Sequence, residues 1–310
     1  MKKYFLYLPI LIFFFTMLLF PEIIFLGAQS GLLLWFQIVL PTLLPFLIIS
    51  SLLLNTPVIH LLVRITSPIF CRLFRVSNYG SFAVLCGFLC GYPMGGKITA
   101  DLLNSGKISA TEARYLLSFC NNTSPMFIIS YVMHQNLNAA HLILPALCIL
   151  FLSPVICSFI FRPFYKQKYN GYVSASENVR STPAPHSNLM DECIMKSFET
   201  ITKIGGYIII FSVLFQLISA LPVTHVFLKH VFLPFLEITN GVLSLSKSLI
   251  SFQDKFIITL ALVSFGGWCS IAQTRCIISE AGIPLFPYII EKLITSAVTS
   301  LLASIFFQLY

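Results

Sequence analysis

The stretch CGFLCGYPMGGKITADLLNSGK, residues Cys86–Lys107, decides how this chain is read. Its 22 positions hold five glycines, one proline, two lysines and one aspartate, although long apolar runs flank it on both sides. Glycine and proline weaken a helix, and a charge in hydrocarbon is costly, so an ordinary membrane span excludes all of them. Backbone groups freed by a helix break survive in a bilayer only where they are buried in protein or line a wet cavity. The break at Gly87–Gly96 is therefore expected to face the protein interior. Pro93 suits the first turn of a restarted half-helix, where its missing N–H is not needed, and that half-helix is expected over Met94–Leu103. Its N-terminus, with free N–H groups and the positive end of the helix dipole, suits a carboxylate or phosphate. Close helix packing is a plainer use of the same glycines, because Gly87 and Gly91 have small-xxx-small spacing.

Outside this stretch the chain is strongly apolar. Of 310 residues, 57% are hydrophobic and 10% charged, which places it among polytopic membrane proteins rather than soluble domains. Mean hydropathy is +0.89. Apolar runs at about 4–26, 32–54, 57–74, 79–103, 113–133, 139–162, 198–221, 223–245, 255–280 and 284–309 mark the membrane segments, and several are too short or too rich in Gly and Pro to cross as simple helices. The net charge of +8 is spread over short loops without interleaved aromatics, so it reads as a topology signal and not as a nucleic-acid surface. The stretch Arg162–Ser197, with Lys166, Lys168, Arg180 and Lys196, reads as a flexible cytoplasmic loop, on the same side as the N-terminus. An even number of complete crossings must then separate the two, so some runs are expected to be re-entrant. The N-terminal run is longer than a secretory signal core and carries Glu22, and it reads as an uncleaved first span.

A shift of 176 residues lays Gly91-Tyr92 on Gly267-Trp268, Lys97 on Gln273, and Ser105-Gly106 on Ala281-Gly282. Several coincidences at one offset favour an internal duplication. Interrupted apolar segments at matching places in two halves point to the substrate site of a transporter built from inverted repeats. The chain accordingly divides into an anchor (1–30), a first membrane half (31–162), a basic loop (163–197) and a second membrane half (198–310).

Three clusters could carry chemistry. Lys97 and Asp101 share one face of the restarted helix; Lys97 suits an anionic solute, and Asp101 is either its structural partner or a proton-coupled carboxylate. In the second break, Ser264–Arg275, Ser270 and Gln273 could hydrogen-bond a solute and Arg275 could add positive charge. In Phe119–Pro125, Pro125 disfavours helix at Ser124, so Asn121 and Asn122 either satisfy bare backbone or point into a cavity. The substrate-binding candidates are Gly91, Tyr92, Pro93, Lys97, Asp101, Asn121, Asn122, Gly267, Ser270 and Gln273. The nine cysteines lack CxxC spacing and His225 and His230 lack the i, i+4 spacing of a helical metal pair, so no metal site is expected. No nucleophile–base set, Walker loop or dinucleotide fingerprint is present; neither an enzyme nor a cofactor is expected.

The run GFLCGYPMGGKITADLLNSGKISATEARYLLSFCNNTSP, with PTLLPFLIIS and SPIFCRLFRVSNYGSF before it and GGWCSIAQ after it, resembles the YlbJ-type, stage V sporulation protein V-like, integral membrane proteins of the nucleoside-recognition or Gate-domain superfamily. The resemblance covers most of residues 32–309 and is most specific over Gly87–Pro125. It implies an all-α, multi-span protein in the cell membrane or outer forespore membrane of an endospore-forming bacterium. It implies transport or facilitation of dipicolinic acid, an aromatic dianion suited to Lys97, a half-helix N-terminus, Tyr92 and Trp268. Nucleoside-like ligands are also compatible with the superfamily, and so is a non-transporting scaffold. Expected partners are the small anionic solute, the lipid bilayer and either a second copy or other sporulation membrane proteins, with no nucleic acid. Trp268-Cys269 departs from the smaller or more polar residues usual at that place.

Overall fold

A computed structural model describes residues 2–165, 188–220 and 232–309. The middle of the basic loop, with Lys166, Lys168 and Arg180, lies outside the described residues, as do His225 and His230. The described residues are almost entirely helical and contain no strand. Five helical stretches are long and apolar enough to cross a membrane: Pro21–Leu54, Ala140–Phe164, Leu189–Ala220, Phe252–Ser279 and Leu285–Leu309.

The chain opens with α1 (Lys2–Leu19) and α2 (Pro21–Leu34), and α2 passes through a π-helical stretch, Trp35–Val39, into α3 (Leu40–Leu54). The single span expected over 4–26 is thus divided at Phe20, because Pro21 opens a new helix rather than extending the first. Helices α4 (Val58–Phe74), α5 (Asn78–Leu89), α6 (Met94–Asn104) and α7 (Ala110–Cys120) follow. A π-helical stretch, Phe127–Asn136, then leads to α8 (Ile143–Phe161). After the loop come α9 (Leu189–Ala220), α10 (Ile238–Ser246), α11 (Phe252–Phe265), α12 (Gly267–Ser279) and α13 (Leu285–Leu309). Residues 189–197, expected in the loop, form the first turns of α9, with Asp191 and Glu192 at its dipole-favoured start.

Small residues set the close approaches. A Cβ at Gly27 or Gly31 would overlap the α9 backbone at Val213 or Ile209, and one at Gly205 would overlap the Trp35 ring, whose Nε1 donates to Ile201 O at 3.0 Å. A Cβ at Gly87 or Gly95 would overlap the carbonyl of Cys120, so these two glycines let α5 and α6 lie against the end of α7. The packing use of the opening stretch therefore holds at Gly87 and Gly95.

The two breaks share backbone detail at the 176-residue offset. Gly91 has φ +84° and Gly267 φ +79°, while Gly106 has φ +67° and Gly282 φ +66°. After α6, Lys107 N donates to Leu102 O at 2.9 Å, and after α12, Ile283 N donates to Ile278 O at 3.2 Å. Beyond these turns the halves diverge: α7 stops at Cys120, whereas α13 runs unbroken from Leu285 to Leu309.

Candidate functional site

Three chain interruptions meet beside the N-terminus of α10. The first, Cys90–Pro93, is narrower than the expected Gly87–Gly96 and contains a cis Tyr92–Pro93 peptide bond. Pro93 precedes α6 as its cap instead of lying in its first turn. The second, Asn121–Ser124, follows α7 as the Asn-Asn-Thr-Ser-Pro run requires. The third is Gly266 with Gly267, both at positive φ, where glycine avoids the Cβ clash of other residues. At this point Trp268 N and Cys269 N donate to Phe235 O and Leu236 O at 2.8 and 2.9 Å, so the break is held by the chain entering α10.

An inner cavity of about 260 Å³ lies among them, bordered also by α2, α3, α9 and the two π-helical stretches and partly open. Cys90, Gly91, Tyr92, Thr123, Ser124 and Gly266 come from the breaks, Ser270 and Gln273 from α12, Phe127, Ser130, Tyr131 and Gln135 from the second π-helical stretch, and Glu237 and Thr239 from the start of α10. Among the described residues no lysine or arginine lines it. The Glu237 carboxylate caps α10: one oxygen accepts from Thr239 N and Oγ1, each at 3.0 Å, and the other from Asn240 N at 2.8 Å and Asn240 Nδ2 at 2.9 Å. Four donors and a helix N-terminus offset the burial of a residue only 3% exposed.

A second cavity of about 300 Å³ abuts the first and is charged: Lys97, Asp101, Lys196, Glu199, Lys203 and Glu280 line it. Ile204 and Gln273 belong to both walls. Lys203 pairs with Glu199 at 2.8 Å and reaches Glu280 of the neighbouring helix at 3.8 Å.

Among curated proteins, the chain is 28% identical to the sporulation integral membrane protein YlbJ of Bacillus subtilis (strain 168), over 90% of this chain and 76% of that relative. This chain is YlbJ-like. It is accordingly a sporulation-related integral membrane protein with several apolar helices. No family model matches it, and no solved structure matches it.

In the YlbJ-like chain, Gly91 and Tyr92 from the first break and Ser270 and Gln273 from α12 line the inner cavity as a group. Lys97 and Asp101 line the charged cavity instead, and the Lys97 ammonium lies 2.6 Å from both Asp101 carboxylate oxygens. Asp101 is thus placed as the structural partner of Lys97, and the i, i+4 spacing on one short helix is the reason. The start of α6 is not an open anion receptor, because the Asn121 side-chain oxygen accepts from Gly96 N at 3.2 Å. Asn121 lines neither cavity: its amide also donates to Thr274 Oγ1 at 3.0 Å and Tyr288 OH at 2.8 Å, which ties α6, α12 and α13 to the end of α7. Asn122 donates to Phe119 O at 2.7 Å and borders only a minor void. Pro93 and Gly267 are buried and shape the breaks without lining a cavity. Trp268 is 38% exposed and stacks edge-on to Phe265, and Arg275 is exposed, so neither faces the cavity.

Residue-type reasoning missed Glu237, Glu291 and Lys292. Each is an ionisable residue within an apolar run and each is buried, which is itself the signal that could have found them. Glu291 accepts a short hydrogen bond from Tyr165 OH. Lys292 Nζ donates to Asn121 O at 2.9 Å. Among the described residues no three His, Cys, Asp or Glu side chains cluster as metal ligands.

Proposed function

We propose that this YlbJ-like protein is a transporter or facilitator of a small solute, most readily a single-ring carboxylic acid such as dipicolinic acid, in the outer forespore membrane. One observation carries the reading: a charged cavity and an inner cavity share Ile204 and Gln273, with interrupted helices converging on the inner one. Irregular backbone at membrane depth is tolerated beside such a cavity or buried in protein, and paired breaks with matching φ angles at Gly91 and Gly267 support a repeat-built transporter. The inner volume is at the small end for ligand sites, which suits one ring rather than a nucleotide. Phe127 and Tyr131 stack with centroids 5.0 Å apart beside it and supply an aromatic wall. Dipicolinate itself comes from the family resemblance.

Lys97 acts, on this reading, in the charged vestibule and not as a countercharge at the inner site. The inner wall is acidic through Glu237 and otherwise offers hydroxyl and amide groups, an arrangement that also suits the hydroxyls of a nucleoside. Neither reading involves an enzyme. Uptake of labelled dipicolinate into liposomes holding the purified protein tests the choice. Saturable uptake that excess unlabelled nucleoside leaves unchanged is the expected result; competition by nucleosides would move the substrate class, and no uptake of either would leave a scaffold.

A further inference from the structure

Lys292 is 2% exposed in the third turn of α13, inside the membrane-spanning part of the chain. A buried ammonium normally demands a carboxylate, yet the three ion pairs of the described residues do not include Lys292. The neighbouring carboxylate, Glu291, is turned to Tyr165, just beyond α8. What the ammonium meets is the carbonyl of Asn121, at 2.9 Å. That carbonyl belongs to the residue capping the C-terminal end of α7, where the helix unwinds for four residues before Pro125. The Lys292 side chain thus brings its amino group to the negative end of a broken helix.

In transporters with discontinuous helices, the exposed carbonyls and C-terminal ends of half-helices are where a coupling cation is coordinated. Here that position is filled covalently. A long neutral amide such as glutamine could donate one hydrogen bond in that direction without the cost of burying a charge. At the equivalent place in the first half, 176 residues earlier, stands Leu116, fully buried, so packing alone does not call for a lysine. The asymmetry matches the backbone: α7 is broken and needs the charge, while α13 is continuous and supplies it.

We propose that Lys292 is a tethered cation that holds the unwound end of α7 at Asn121 in place of a bound metal ion, so that the protein works without sodium or potassium as a coupling ion. The proposal rests on the transport reading for its consequence, but its physical core is read from the protein without a substrate. The test measures thermal unfolding of detergent-purified full-length protein in sodium, potassium and choline chloride at equal ionic strength. The wild type is expected to unfold at one temperature in all three; a rise of several degrees in sodium or potassium alone would overturn the proposal, since it would reveal a separate ion site. Lys292→Ala and the longer, uncharged Lys292→Met are expected to unfold about 5 °C or more lower. Ethylammonium or sodium, but not choline, should return part of that loss in Lys292→Ala by binding the vacated site. Loss without any cation response would make Lys292 a plain structural donor. In liposomes, wild-type dipicolinate uptake should be the same with each salt. Uptake that requires a sodium gradient overturns the tethered-cation role alone, whereas absence of uptake together with the cation response in unfolding overturns the transport reading and leaves the role of Lys292 standing.

Discussion

Asn121 and Asn122 are chemically identical neighbours with different surroundings. Asn121 is 1% exposed and joins Gly96, Thr274 and Tyr288 through its amide and Lys292 through its carbonyl. Hydrogen bonds between membrane helices contribute roughly 0.6 kcal/mol each on average, and a buried group left without a partner costs about 1–3 kcal/mol. Asn121→Ala should therefore destabilise by about 2–4 kcal/mol, read as a lower unfolding temperature in detergent. Asn122→Ala removes one local bond to Phe119 O and should cost under about 1 kcal/mol; equal losses at the two positions would show that Asn121 is not the hub. The sequence marked both as site candidates because an Asn pair before Ser-Pro signals an unwound stretch. Which of the two turns inward depends on where α12 and α13 come to rest.

At the scale of elements, the glycines of the opening stretch separate into two uses. Gly91 holds a left-handed conformation at the break, whereas Gly87 and Gly95 make room for the Cys120 carbonyl. Gly87→Ala forces side chain into backbone, and overpacking of this kind costs about 1–3 kcal/mol or more. Gly206→Ala in α9 meets nothing within 4 Å and should stay within about 0.5 kcal/mol of wild type. The yield and unfolding temperature of the two variants, compared side by side, check this, and a tolerated Gly87→Ala would mean that α5 and α7 are further apart. The restart of α6 at Met94 was legible from Pro93, and its end at Asn104 follows the left-handed Gly106. The early start of α9 at Leu189 was not legible, because Asp191, Glu192 and Lys196 read as loop charges until α9 is seen as a long helix rising from the loop side.

Across the whole molecule, the transport reading makes the wall shared by the two cavities the place to block a path. Ile204→Trp adds bulk where α9 meets Gln273, and Gln273→Leu removes the amide from both walls. Each should lower solute uptake about tenfold or more, the size of effect that corresponds to about 1.4 kcal/mol on a barrier, while protein in the membrane stays at wild-type level. Uptake at the wild-type rate in both variants would place the path elsewhere. The Lys203 pairs are largely exposed, 44% on the lysine side and 64% and 72% on the glutamates. Exposed pairs contribute about 0–1 kcal/mol, so Lys203→Met should leave the unfolding temperature within about 2 °C. Its effect should instead appear as a changed salt dependence of uptake, since charges at a mouth act on encounter.

The sequence by itself determined that the chain is an all-helical membrane protein and that helices break near Gly91, Asn121 and Gly267. Those properties follow from local chemistry: apolar content, glycine and proline conformations, and the cost of bare backbone in lipid. Only the tertiary structure decided that Lys97 answers to Asp101 in a charged vestibule, that Glu237 rather than a cation lines the inner cavity, and that Lys292 reaches the end of α7 across 171 residues. A buried charge is assigned by the partner it meets, and these partners lie on helices that only folding brings together.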